Sequence, residues 1–130
     1  MLEGDASTHI IQAVKKFESV KIAFKEEGQV SMPGVPDIYV DDEVSGAFWI
    51  EVKLVKKYPK RSNSIILEHD FSPEQIRFFN KTSTKSFAII ADIADGKKLE
   101  FRIVPKNKIK RKMNLSEFKE LKIWGGEKFW

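Results

Sequence analysis

The chain has 130 residues, 42% apolar and 32% charged, with a formal net charge of +4. That length fits one compact domain, residues 1–130, and the mild basic excess suits a polyanionic partner. With no cysteine, disulfides and a thiolate zinc site are excluded, and two histidines, His9 and His69, are too few and too far apart to suggest a zinc cluster. No apolar run approaches the ~20 residues that span a bilayer, and the first residues lack a signal-peptide pattern, so a soluble cytoplasmic protein is the expectation.

Ile10, Ile11, Val14 and Phe17 recur at helical spacing and predict a helix over 8–19, capped by Ser7 or Thr8. Val20, Ile22 and Phe24 alternate with Lys21, Ala23 and Lys25, which reads as a half-buried strand. The run 32–36, Met-Pro-Gly-Val-Pro, is a rigid turn because its two prolines fix φ and remove donors. A short strand over 37–40 and a polar hairpin connection over 41–46 follow. The strongest strand signal is 47–55, with Phe48, Ile50, Val52 and Leu54 on one face and Trp49, Glu51, Lys53 and Val55 on the other.

Residues 56–64 read as a basic, mobile loop. Ser72, Pro73 and Gln75 form a capping-box sequence that opens a helix to about Lys81. Strands over 86–91 and 99–104 and a short helix over 115–121, capped by Asn114, complete the pattern. The order predicts a mixed α/β fold around one central sheet. In it the first strands meander and the helix after 47–55 crosses over. Trp124, Phe129 and Trp130 either complete the core or bury against a second subunit.

Glu51 and Lys53 lie two apart on a strand, so both side chains leave one face. A preceding strand that pairs with theirs brings Asp37 beside Glu51. Two carboxylates that close repel unless a cation lies between them. Mg²⁺ binds one or two carboxylates and keeps several waters, and the Val52 carbonyl offers one more oxygen. Lys53 can orient a water or offset charge on a phosphate.

A Glu-x-Lys triplet alone arises by chance about 0.5 times in a chain of this length. Glu117-Phe118-Lys119 and Glu120-Leu121-Lys122 are two such decoys. They fall in a helical pattern, where residues two apart do not face each other. The bland alternative makes Glu51 and Lys53 a solvated strand face and Asp37 a turn residue.

Basic residues flank this set. Lys56, Lys57, Lys60 and Arg61 follow the strand directly, with Tyr58 among them as a base-stacking candidate. Lys106, Lys108, Lys110, Arg111 and Lys112 form a second, separate cluster. Two separated patches can follow two arms of a branched duplex, although charge runs also serve as plain solvated surface.

Three blocks in order, 33–37 (Pro-Gly-Val-Pro-Asp), 48–53 (Phe-Trp-Ile-Glu-Val-Lys) and 71–75 (Phe-Ser-Pro-Glu-Gln), resemble the PD-(D/E)XK nuclease superfamily. Within it, they resemble the small virus-type replication-repair nucleases (VRR-NUC) and Holliday junction resolvase-like proteins. The resemblance spans about residues 8–92. It implies a restriction-endonuclease-like core and a Mg²⁺- or Mn²⁺-dependent DNA endonuclease acting on branched DNA as a homodimer, in a host cytoplasm if phage-encoded. It implies Asp37 and Glu51 as metal ligands, Lys53 as catalytic assistant and Gln75 in support. Family members often add a first-helix glutamate; here Glu3 ranks first and Asp5 next. Two other functions stay open: a non-catalytic DNA-binding module of this fold, and an RNA-processing nuclease.

Overall fold

The computed structural model describes residues 3–26, 34–66, 71–94, 96 and 98–130. In chain order the elements are α1 (Glu3–Val14), β1 (Val20–Lys25), β2 (Ile38–Asp42), β3 (Gly46–Val55), α2 (Pro73–Lys81), β4 (Lys85–Asp92), β5 (Glu100–Pro105), a 3-10 turn (Lys106–Lys108), α3 (Leu115–Lys119) and β6 (Lys122–Ile123). Pro33, His69 and Asp95 lie outside the described residues.

One six-stranded sheet runs in the order β1-β2-β3-β4-β5-β6. Neighbours are antiparallel except β3 and β4, which are parallel from Phe48↔Lys85 to Val55↔Asp92. A parallel pair needs a crossover, and α2 is carried on it. The mixed α/β expectation and its meander therefore hold.

Period-two alternation sends β3 side chains into two separate cores. Phe48, Ile50 and Val52 join Ala6, Ile10 and Val14 of α1, with Ile89 and Ile103. Val55 joins Phe71, Ala88, Ile90, Val104, Met113, Leu115 and Phe118 on the opposite face. Each fully buried apolar side chain contributes roughly 1.5–3 kcal/mol. β3 and β4, covered on both faces, are thus the rigid spine on which a site can be held.

Four local expectations are corrected. First, the opening helix spans Glu3–Val14 instead of 8–19. The Ser7 and Thr8 hydroxyls do not cap it. They bond back to the carbonyls of Glu3 (3.3 Å) and Gly4 (3.1 Å), as hydroxyls inside a helix do. Buried Ala6 extends the apolar stripe one turn earlier, and Phe17 lies past the helix against Trp130.

Second, β1 does not alternate cleanly. Val20 pairs with Asp42 and Ile22 with Asp41, so Lys21 is an extra residue. That bulge turns Ala23 into the core and leaves Ile22 and Phe24 exposed. Third, β2 continues through Asp42, and the Asp42 carboxylate closes the hairpin by accepting from the N–H groups of Val44 (2.8 Å) and Ser45 (3.1 Å).

Fourth, residues 56–64 are not a loose loop. They are tied to 113–116 by backbone hydrogen bonds, an isolated bridge joins Ile65 to Asn114, and the Tyr58 hydroxyl bonds Asp92.

The C-terminal aromatics complete the core. Trp124 is buried, Trp130 stacks on Phe48 at 5.1 Å, and its indole N–H donates to Asp42 at 2.6 Å. β6 was unforeseen: its two residues, Lys122 and Ile123, carry little pattern, and pairing with β5 defines it. Among the described residues, no helix is long and apolar enough to cross a membrane.

Candidate functional site

Asp37 is delivered by the turn that precedes β2. Gly34 in that turn has φ of 90°, and a Cβ there would lie 2.3 Å from the Glu74 carbonyl oxygen. Only glycine lets this backbone press against the first turn of α2. Pro36 is buried, and the Asp37 carbonyl accepts from Glu26 N–H at 2.7 Å. The Asp37 side chain then reaches past the start of β2, where Oδ2 accepts from the Val52 N–H at 2.8 Å.

Glu51 enters the same spot from β3. Its residue is 2% exposed, and its Oε1 has no hydrogen-bond partner. Burial first, and then the charge and hydrogen bond of Asp37, push its carboxyl up to about 9. Lys53 opposes the shift and Glu3 adds to it. The Asp37 and Glu51 carboxyl groups are therefore neighbours.

Lys53 lies two residues on, with Nζ 3.8 Å from Glu51 Oε2. It donates to Gln75 Oε1 at 3.1 Å and sits 5.3 Å above the Phe71 ring. Gln75 performs two tasks. Its Oε1 accepts from Ser72 N–H (2.9 Å) and its own N–H donates to Ser72 Oγ (3.1 Å), closing the expected capping box. The same oxygen anchors the ammonium. The bland reading of a solvated strand face fails, because Glu51 is buried and Lys53 is half-buried.

In an extended strand the N–H and C=O of one residue leave on the same side. Val52 spends its N–H on Asp37, and β2 pairing ends at Ile38↔Ile50. The Val52 carbonyl therefore faces the Asp37 side beyond the end of that ladder.

Glu3 lies on the rim, lining a cleft of ≈ 290 Å³ with Gly4, Ser7, Lys25, Glu26 and Asp37. Asp5 is exposed and does not line that cleft. Among the described residues, no three His, Cys, Asp or Glu side chains group closely enough to hold a metal ion. Asp37 and Glu51 form the carboxylate pair, and the first helix adds no third member to it. Even so, the donor set suits a hard divalent cation: the buried Glu51 oxygen is unpartnered and its neighbour is another carboxylate.

The cationic residues divide. Lys56, Lys57, Lys60 and Arg61 are exposed directly after β3, as are Lys108, Lys110, Arg111 and Lys112 in the second cluster. Lys106 is half-buried and holds the Thr82 carbonyl at 2.8 Å, and Lys110 pairs with Glu117. The Tyr58 ring packs 6.2 Å from Phe118 and under the Lys119 ammonium, which excludes it as a free stacking platform.

Sequence reasoning missed Lys25 and Glu26 on the rim, and Arg77 and Lys81 on α2. The last two line a cleft of ≈ 450 Å³ with Pro73, Ile76, Asn80 and Arg111. Their i, i+4 spacing on the solvent side of α2 was a readable signal.

No family model and no curated protein matches this chain. Among solved structures it is similar to Hjc, a Holliday junction resolvase from the archaeal hyperthermophile Archaeoglobus fulgidus. Identity is 19% and the TM-score 0.56, with 92% of this chain and 89% of that chain covered. The likeness is one of fold: a mixed sheet flanked by helices, the restriction-endonuclease-like α/β core.

Proposed function

We propose that this single domain is a metal-dependent DNA endonuclease that hydrolyses phosphodiester bonds, selective for branched DNA such as Holliday junctions and acting as a homodimer. One observation carries the reading. A buried carboxylate with an unpartnered oxygen, Glu51, touches a second carboxylate, Asp37, while a lysine held by Gln75 stands 3.8 Å away. A fold needs no such arrangement: a buried carboxylate with an unsatisfied oxygen costs stability and is kept where function uses it.

Asp37, Glu51 and the Val52 carbonyl are the residues to hold a Mg²⁺ or Mn²⁺ ion. When bound, that ion would acidify a coordinated water and offset charge on the phosphate. Asp37 is pre-oriented by the Val52 N–H, so its free oxygen is aimed without a search of rotamers. Lys53 is kept from collapsing fully onto Glu51 by its bond to Gln75. Its ammonium therefore offers positive charge to the phosphoryl oxygens as negative charge builds on them. The exposed cations after β3 are suited to the flanking phosphates. The fold likeness to the archaeal resolvase and the basic segments support the substrate class.

The test is cleavage of labelled junction, linear duplex and RNA substrates with Mg²⁺ or Mn²⁺. Asp37→Asn and Lys53→Ala should each abolish cutting of junction DNA while leaving binding in place. Normal cutting by these variants sinks the site assignment. Cutting of RNA alone would point to RNA processing, and Mn²⁺ calorimetry without carboxylate-dependent uptake would point to a non-catalytic module.

A further inference from the structure

A buried polar network that hydrolysis does not use sits at the far end of β3 and β4. Asp92, the last residue of β4, is 3% exposed. Its Oδ1 accepts from Ala94 N–H at 2.9 Å, and its Oδ2 accepts from the Tyr58 hydroxyl. Arg102 Nε approaches the same carboxylate at 3.8 Å. The Arg102 guanidinium also donates to the carbonyls of Lys119 (3.2 Å) and Leu121 (3.3 Å) and lies 4.8 Å above the Phe118 ring. Taking such charges out of water is costly, and fixing the geometry of neighbouring segments is one use of a retained buried pair.

Its geometric product is the position of the segment 56–61. That segment begins where β3 ends, three residues past Lys53. At one end Tyr58 is tethered to Asp92. At the other, the Ser62 and Ser64 carbonyls accept from the N–H groups of Ser116 (2.9 Å) and Leu115 (3.0 Å), and Ile66 N–H donates to the Met113 carbonyl at 2.9 Å. Lys56, Lys57, Lys60 and Arg61, all exposed, are thus carried on backbone clamped on both sides. Cations on a pre-ordered backbone lose less freedom when they meet phosphate than cations on a free loop.

We propose that Tyr58, acting through Asp92, is a positioning residue. It docks the basic segment at the end of the catalytic strand as a ready-made contact for the phosphate backbone beside the scissile bond. The proposal rests on the nuclease reading, since it assigns that site its grip on substrate.

Tyr58→Phe removes only the phenolic oxygen and keeps the ring against Phe118, so the fold should survive. With junction DNA, KM should rise about five-fold and the salt slope of binding should flatten, while kcat at saturation stays within about two-fold. Asp92→Asn, which keeps an acceptor but removes the charge facing Arg102, should shift KM the same way. Mn²⁺ uptake at Asp37 and Glu51 should not change in either variant. In a Lys56→Ala, Lys57→Ala, Lys60→Ala background, adding Tyr58→Phe should move KM by less than about two-fold, because three of the four cations it positions are gone. An unchanged KM in the single variant, or a full-size effect in the triple background, overturns the proposal while leaving the nuclease reading intact. A wild-type protein that neither binds nor cuts DNA overturns both.

Discussion

Glu51→Gln should make the metal-free protein more stable, although it removes a central residue of the site. Burial pushes the folded Glu51 carboxyl up to about 9, whereas the unfolded chain releases the proton near the ordinary 4.5. Between those values the unfolded state binds fewer protons than the folded one, so stability falls as pH rises. Each pH unit in that window weighs about 1.4 kcal/mol against folding, or about 3 kcal/mol at pH 7. Relaxation around the site reduces this, and a gain of about 1–3 kcal/mol at pH 7 is expected. The glutamine cannot ionise, and its amide N–H can donate to Asp37 where two acidic groups formerly competed. The assay is urea denaturation of both proteins without metal, at pH 4, 7 and 8.5. The advantage of the variant should be near zero at pH 4 and grow with pH. In excess Mn²⁺ the order should reverse, because only the wild type gains binding energy from the ion. A variant less stable than wild type at pH 7 without metal, or a difference independent of pH, would refute the buried-carboxylate argument.

Two further outcomes test the surroundings of the site. Gly34→Ala places a Cβ 2.3 Å from the Glu74 carbonyl at a φ of 90°, so a loss of about 2–3 kcal/mol is expected by denaturant melting, together with weakened Mn²⁺ uptake as Asp37 shifts. Wild-type stability and metal uptake in that variant would show that the turn does not deliver Asp37. Asp42 lies far from the chemistry. Burial raises its pKa, but the Trp130 indole, the N–H groups of Val44 and Ser45, and Lys128 outweigh that and hold it well below the usual carboxylate range. A depressed carboxylate contributes stability above its unfolded pKa and loses it as pH falls towards the folded value. Asp42→Asn should therefore cost about 1–3 kcal/mol at pH 7, with the gap narrowing below about pH 4; a gap that stays constant down to pH 2.5 would contradict this.

Much of this protein is local in origin, and local signals were readable. The capping box at Ser72 and the cap at Asn114 formed as written, because each depends only on residues three apart. The two faces of β3 were legible from period-two alternation, which placed Glu51 and Lys53 together. Proline and glycine marked the turn that carries Asp37.

Long-range contacts decided the rest. Bulging at Lys21 shifted every later β1 residue to the other face, a change set by pairing with β2 and invisible to alternation. Ser7 and Thr8 are good caps in isolation, yet core packing of Ala6 carried the helix past them. The tether on residues 56–64 needed partners about 34 and 50 positions away, Asp92 and the 113–116 segment, and no window on the sequence contains both. Strand pairing in the sequence pattern brings Asp37 beside Glu51, but the burial of Glu51, which perturbs its carboxyl, exists only in the assembled fold. Charge is written in the chain; the dielectric around it is made by the fold.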